Sequence, residues 1–588
     1  MNDKLRSILH TAWNEPRHFF FWLAMLSICG FLAAVGAAAL IGQATLLAFV
    51  ALGCILCFAV CMPVFVLAWI PTVRRLFAWL LGRRFLVLGC LVTLIALFYA
   101  VEDWRGRQAW QSYKRAWEAN GELFDLASLA PPPVPNDQNF FETPLWADMH
   151  FVATNRGIVW SDTNWSDRVI FTIFCPKDTR APSPGSWIKA QPVDLKAWQE
   201  YYRGSNNLFA ARSGPPTNYF PLAKEPQTPA ADVLLALSKF NENRQLLIAA
   251  SVRPQARFWS NYDAGFACLL PHLARLKRSS QYLSLHAVAA LKDGDSEAAL
   301  EDIKLLIRLI ESIRGEPIVI SQCVRIGMLS DALQPVWEGL ADRQWTEAEL
   351  IAIQRALGTL DFLADFQFAV RGERAFGLWG LDYIRRMGIA GLNEIGSERQ
   401  DSEPSELKHL LGIAAFPLIP AGWFDQNKLS LCRIYEKHLL PLMVLLERRV
   451  VPYSAIQQAN SATVRPGGQP YYAFSRLLLP ALGGFAEKCA RAQCSLDLAR
   501  VACALERYRL ANAQFPETLD ALAPRFIAKL PHDVINGQSL KYRRTDDGQF
   551  VLYSVGSNET DDGGTVGLTK NGYPDEKKGD WVWHYPAR

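Results

Sequence analysis

The sequence predicts a mainly α protein. Three N-terminal transmembrane helices are followed by a large extracytoplasmic helical domain with a small irregular α+β insertion, and then by a C-terminal helix plus β-hairpin. Three observations lead there. Of 588 residues, half are apolar and a fifth are charged, which excludes a single small domain and a disordered, collagen-like or low-complexity chain. Positions 19–73 hold no charged residue. From residue 228 onward apolar residues recur at helical spacing, and only near the C-terminus does the period change to two.

As one helix, the uncharged run of 55 residues would measure roughly 80 Å at ~1.5 Å per residue, against a hydrocarbon core of ~30 Å. It must cross twice. Spans are expected at 19–41 and 44–70, divided at Gly42-Gln43, with Pro63 kinking the second and Pro71 closing it. A third, at 85–101, is short, with Arg84 and Trp104 at its two interfaces. The first 101 residues carry seven of the 61 Lys and Arg but only two of the 57 Asp and Glu. Lys4, Arg6 and Arg17 precede the first span, and Arg74, Arg75, Arg83 and Arg84 lie between the second and third. Both basic segments fall on one side of a three-span chain, and the positive-inside rule makes that side cytoplasmic. The expectation is a multi-pass protein of a bacterial inner membrane, with its N-terminus in the cytoplasm and everything after residue 101 outside it. A cleaved signal peptide is not expected, because the first apolar run has 23 residues and another follows at once. The near-neutral remainder gives no support to a nucleic-acid partner. The expected partners are the lipid bilayer and an envelope protein.

Five of the twelve cysteines lie in the expected spans. Of these, Cys54, Cys57 and Cys61 share a helix face, a stripe open to helix packing or to a metal or haem. The other seven are scattered, and an odd number in an oxidising compartment leaves at least one free. Cys489 and Cys494, five apart on an expected helix, diverge and are not expected to bond.

Four segments follow from these signals: a membrane domain (1–101), an intermediate segment (102–227), a helical domain (228–494) and a tail (495–588). Residues 103–129 read as a surface helix carrying Trp104, Trp110, Tyr113 and Trp117, stopped by the proline-rich spacer 130–135. The remainder of the intermediate segment suggests a strand at 168–175 and a helix at 194–203. Thr228-Pro229 starts the helical domain as an N-cap with proline at the first helical position. Residues 281–313 resemble one tetratricopeptide unit: two apolar helical stretches around the turn Asp293-Gly294-Asp295. Helices are expected next at 317–340 and at 347–363, the latter opened by the capping box Thr346/Glu349. Others are expected at 364–388, 405–413 and 425–460.

Within these helices His286, Gln322, Arg325, Asp361, Asp365, Arg371, Glu373 and Arg374 stand among apolar neighbours. Two readings are open. They form a catalytic or ligand-binding cluster, or they are interhelical hydrogen bonds and ion pairs holding the bundle. No G-x-S-x-G, H-E-x-x-H, phosphate-binding loop or zinc-type Cys/His cluster occurs in the chain.

The tail begins with an amphipathic helix at 495–513, then a helical turn at 517–523 and a hairpin with strands at 539–544 and 549–555. A lone hairpin is marginal in water, so it is expected to dock on the helical core, with Phe550 and Leu552 meeting different elements. Its residues include Ala504-Leu505-Glu506-Arg507-Tyr508-Arg509 and Gln514-Phe515-Pro516-Glu517-Thr518-Leu519-Asp520-Ala521-Leu522. Leu530-Pro531-His532-Asp533 and Leu552-Tyr553-Ser554-Val555-Gly556 follow, then Asp561-Asp562-Gly563-Gly564. This pattern resembles the globular half of type II secretion major pseudopilins, and the tails of a group of uncharacterised bacterial membrane proteins that carry the same module. The resemblance covers about 90 residues of the chain. It implies calcium in the loop after the hairpin, where Glu559, Asp561 and Asp562 supply oxygen ligands beside glycines. No other cofactor is expected. The chain departs from a pseudopilin in having three spans, and the segment 477–485 before its tail helix contains Pro480 and is too short to cross a membrane.

Two functions of different class are compatible with this pattern. One is a membrane-anchored extracytoplasmic scaffold or binding protein. The alternative is an envelope hydrolase or transferase with its site between the helical and α+β parts.

Overall fold

The computed structural model describes residues 84–585, apart from 147–148, 150, 155–156, 161–169, 175–180, 205–207, 210–216, 398–415, 446, 451–469, 480–481 and 573. The spans expected at 19–41 and 44–70, the cysteine stripe and the helix expected at 405–413 lie outside the described residues. In chain order the elements are α1 (Arg84–Glu118), α2 (Leu126–Leu129), β1 (Phe151–Thr154), β2 (Gly157–Trp160), α3 (Leu195–Arg203), β3 (Leu208–Phe209), β4 (Thr217–Asn218), α4 (Pro229–Leu237) and α5 (Asn241–Ser251). Next come α6 (Pro271–Lys292), α7 (Ser296–Ser312), α8 (Val319–Ala341), α9 (Glu347–Leu357), α10 (Phe362–Met387), α11 (Ile389–Ser397), α12 (Ala421–Ile434), β5 (Met443–Val444) and β6 (Arg449–Val450). The last are α13 (Ala473–Leu477), α14 (Leu482–Asn512), β7 (Lys541–Arg544), β8 (Phe550–Ser554), β9 (Val566–Leu568), β10 (Pro574–Gly579) and β11 (Trp581–Trp583). The protein is mainly helical with small antiparallel sheets.

The chain divides into two compact units, Met1–Arg115 with Leu381–Leu429, and Ala116–Gly380 with Ser430–Arg588. In the first unit α1 dominates. It is the one described helix long and apolar enough to cross a membrane, and its side chains from Leu86 to Val101 are largely exposed, Leu94 to 64%. The segment expected as a span at 85–101 and the start of the surface helix expected after it are one helix of 35 residues, because no proline interrupts the passage through Glu102 and Asp103. The helix stops at Glu118, before the turn at Gly121 with φ +84°. Only α2, capped by Asp125, remains of the far end of the expected surface helix. The start of α12 packs on α1 through glycines: a Cβ on Gly106 or on Gly422 would lie 2.1 Å from a backbone oxygen across the contact. Asp103 accepts the Gly422 N–H at 2.7 Å, and Glu102 accepts the Trp423 indole N–H at 3.0 Å.

The core of the second unit is the triple contact of α6, α7 and α8. The α6–α7 hairpin turns at Gly294 with φ +90°, and Asp295 caps α7 by accepting the Ala298 N–H. The capping box at Thr346 and Glu349 opens α9, which ends at Leu357 rather than at 363. The helix expected at 425–460 stops at Ile434, followed by a π turn, Pro441 and the short β5–β6 pair. Residues 170–174 form a turn and not the expected strand. Phe171 is buried at φ +57° with its ring 4.7 Å from that of Tyr282, so the apolar run there reflects burial. The strands of the intermediate segment are the pairs β1–β2 and β3–β4 instead.

Thirteen residues before the expected start, at Leu482, α14 begins, because Phe485, Ala486, Cys489 and Ala490 extend its buried face. It packs against α8 and α9, and β8 and β11 pack on it. The β7–β8 hairpin pairs Arg544 with Phe550 and Lys541 with Tyr553, and β11 adds a third strand that the sequence pattern did not reveal. Phe550 and Leu552 are two apart, so the pleat puts them on one face rather than on two, and both are buried. Trp337 of α8 donates its indole N–H to the His584 carbonyl at 2.9 Å, tying the end of the tail to the helices. Among the described residues, Cys268, Cys323, Cys489, Cys494 and Cys503 are free thiols.

Candidate functional site

The residues flagged in the helices do not converge on one cluster. His286 pairs with Asp302 (Nδ1 to Oδ2, 2.5 Å), which Arg244 also holds. Gln322, Arg325 and Asp365 do meet: fully buried Arg325 donates from Nη1 to Gln322 Oε1 at 2.5 Å and to Asp365 Oδ2 at 2.7 Å, and from Nε to the Ile310 carbonyl at 2.8 Å. Asp365 is shared with Arg314 at 3.0 Å. Asp361 instead caps α10 at Ala364 and pairs with Arg448. Glu373 accepts the Val319 N–H. Arg371 and Arg374 clamp Glu122 at 2.9 and 2.7 Å. Burial acts to raise the Glu122 pKa, but hydrogen bonds from the two guanidinium groups prevail and hold it below the usual carboxylate range. These are separate ties, and Arg325 Nη2 and Arg374 Nε are left buried without a hydrogen bond.

One buried constellation escaped sequence reasoning, because its members are up to 49 positions apart. Glu316 accepts from His272 Nε2 at 2.6 Å and from the Ser321 hydroxyl at 2.5 Å. The carboxylate stands between histidine and serine, so the serine–histidine bond that activates a nucleophile is not formed.

A cleft is built by the 3₁₀ turn Trp187–Lys189 against α6 and α8. Gly185 enters the turn at φ +78°, where a Cβ would meet Gln334 Nε2 at 2.6 Å. Ser186 and Gln191 then exchange backbone hydrogen bonds of 2.8 and 2.9 Å. Gln334 and Glu338, four apart and thus on one face of α8, hold the turn. Trp187 donates its backbone N–H to Gln334 Oε1 at 2.7 Å, and Val193 donates to Glu338 Oε1 at 2.9 Å. Burial pushes the Glu338 carboxyl above its ordinary value against these bonds, and its Oε2 has no partner.

The cleft encloses about 140 Å³, lined by Phe174, Trp187, Trp198, Gln281, Ser284 and Asp331 among others. A neighbouring cavity of about 90 Å³ shares Trp187, Ile188 and Ser330 and continues to Lys488 and Arg491 of α14. Phe174 stacks on Trp198 at 5.7 Å. Asp331 accepts from Lys277 Nζ at 2.6 Å and from the Ser280 hydroxyl. Burial drives its carboxyl up, with the lysine opposing. The indole N–H groups of Trp187 and Trp198 are buried without an acceptor. The cleft therefore offers aromatic surface and hydroxyl and amide groups, with its one carboxylate already paired to a lysine. Of its residues only the Gln334/Glu338 spacing inside an apolar helix was a sequence signal for the site.

In the tail, Glu559, Asp561 and Asp562 lie in one loop, where Asp561 and Asp562 face different partners. Asp561 Oδ1 accepts from the Tyr553 hydroxyl at 3.0 Å and the Gly563 N–H at 3.1 Å, and Oδ2 lies 3.4 Å from Lys541 Nζ. Asp562 accepts from Asn558 at 2.7 Å, and Glu559 has φ +58°. Buried Asp580, which the sequence reading passed over, gathers the loop by accepting the Asp562 and Gly564 N–H groups at 3.2 and 2.6 Å. Among the described residues no group of three His, Cys, Asp or Glu is arranged to hold a metal ion. Comparison with known proteins finds no matching family, no matching curated protein and no matching solved structure.

Proposed function

We propose that the chain is a membrane-anchored extracytoplasmic binding protein, whose second unit offers the Trp187 cleft to an envelope partner. The reading takes α1 as one of three spans in the inner membrane, with the N-terminus cytoplasmic and the tail a pseudopilin-like module reused for docking. The observation that carries it is the size and chemistry of the cleft. A volume of about 140 Å³ is well under the roughly 300–1,000 Å³ of pockets that enclose a whole small-molecule ligand. It is close to the ~150 Å³ that accommodates a single benzene ring. Such a cleft takes one ring or side chain of a larger partner, packed against Phe174, Trp187 and Trp198. An envelope hydrolase or transferase draws support from Asp331, a carboxyl kept toward its neutral form at the cleft. Among the described residues no second carboxylate and no histidine lines the cleft with it, which favours binding.

The test is chemical crosslinking in intact membranes with the native chain and with Ser284→Trp, which fills the cleft, and Val252→Trp as an exposed control. The binding reading expects a crosslinked partner retained by the control and lost in Ser284→Trp. Equal recovery with all three would refute the cleft as the binding site.

A further inference from the structure

The first unit holds a second apolar element at the same depth as the apolar part of α1. The 3₁₀ turn Phe416–Leu418 leads into α12, and Leu418 is 68% exposed. In the sequence, positions 410–424 carry no charge. The turn's position is tightly determined. The Tyr99 hydroxyl donates to the Leu418 carbonyl at 2.6 Å. One helical turn further along α1, Glu102 and Asp103 bind Trp423 and the Gly422 N–H, and the Gly106–Gly422 contact leaves no room for even a methyl group. As the chain runs back from Gly422 to Leu418, it therefore descends along α1 from the charged boundary to Tyr99, about 4.5 Å deeper at ~1.5 Å per residue.

We propose that Phe416–Pro420 is a lipid-embedded turn, a second membrane contact of this unit whose occupant is the bilayer itself. The proposal rests on α1 lying in a membrane. If Leu94, Leu97 and Phe98 are in hydrocarbon, then Leu418, bonded to the next residue, cannot be in water. Its backbone suits that place. Pro417 and Pro420 have no N–H to satisfy, and Ile419 donates its N–H to the Phe416 carbonyl at 3.1 Å. The Tyr99 hydroxyl spends its proton on Leu418, and Thr93 on the Gly89 carbonyl at 2.8 Å. These donors and acceptors are thus paired within the protein, which lowers the cost of taking them out of water. Trp104, 68% exposed, and Trp423 stand at the charged boundary, where indole rings anchor at the interface.

The experiment is photocrosslinking of the full chain in native membranes, with benzoylphenylalanine placed singly at positions 94, 418 and 252 and phospholipid adducts read by mass. Leu94, Leu418 and Val252 are all exposed side chains, so the probe displaces no packed neighbour. The proposal expects lipid adducts at 94 and 418 and none at 252. An adduct at 94 without one at 418 overturns the embedded turn and leaves α1 in the membrane. The absence of adducts at both 94 and 418 overturns the membrane placement of α1 and the turn with it. Equal labelling at 252 overturns the assignment by removing its selectivity.

Discussion

Replacing Asp365 by alanine tests whether the flagged polar residues hold the bundle or form an active site. The carboxylate is nearly buried and receives Arg325 at 2.7 Å and Arg314 at 3.0 Å. Arg314 is partly exposed and can turn to water, so its share is that of a surface pair, ~0–1 kcal/mol. Arg325 cannot follow. It is wholly buried, and with Asp365 gone its nearest remaining carboxylate oxygen is Glu311 Oε1 at 3.7 Å, beyond hydrogen-bond length. Breaking one side of a buried pair costs about 3–5 kcal/mol, because the other charge is left without compensation. Urea unfolding of the detergent-solubilised full chain, followed by tryptophan fluorescence, should show Asp365→Ala losing that much at unchanged slope. The double variant Arg325→Met/Asp365→Leu should recover most of it, since apolar replacement of both partners is close to neutral. A loss under about 1 kcal/mol for Asp365→Ala, or a double variant as unstable as the single, would refute the structural role. Residues kept for chemistry behave oppositely, their replacement leaving the fold as stable or more so.

Three further outcomes follow from the same geometry. Glu338 has its native pKa raised by burial, so stability falls as pH rises from the ordinary glutamate range through the raised value. The stability of Glu338→Gln relative to the native chain should accordingly improve from pH 4 to pH 7, and a difference that does not vary with pH would contradict this. In the tail loop, Asp580→Asn should lower the unfolding midpoint, whereas calcium or its chelator should leave the native midpoint unmoved because protein donors already occupy Asp561. Calcium-dependent stabilisation, abolished by Asp561→Asn, would instead assign Glu559, Asp561 and Asp562 to an ion. Alkaline phosphatase fused after residue 230 should be active, and activity only from a cytoplasmic reporter at that point would reverse the proposed orientation.

Helices whose boundaries are local chemistry were legible in the sequence. Asp194, Thr228 and Thr346 cap where their side chains can reach the next backbone N–H groups, and the Asp293-Gly294-Asp295 turn needs only its own residues. Boundaries set by tertiary packing were not. The true start of α14 depends on buried partners for Phe485 and Cys489, and the length of α1 on a helix that ignores the change from apolar to charged. The strand β11 was too short to show a period, and it exists because β8 offers it an edge. The cleft was the least legible feature. Trp187 and Trp198 are ordinary core aromatics by pattern, and only the fold reveals that Gln334 and Glu338, about 150 positions away, hold the turn on which Trp187 sits.

The central claim is that the Trp187 cleft receives a partner outside the cytoplasmic membrane. Its most direct test places benzoylphenylalanine at position 330, the exposed residue that lines both cavities, and irradiates intact cells. The account predicts a discrete protein adduct at 330 that is absent when the same probe stands at 252. The same adducts at both positions, or none at 330, would contradict it.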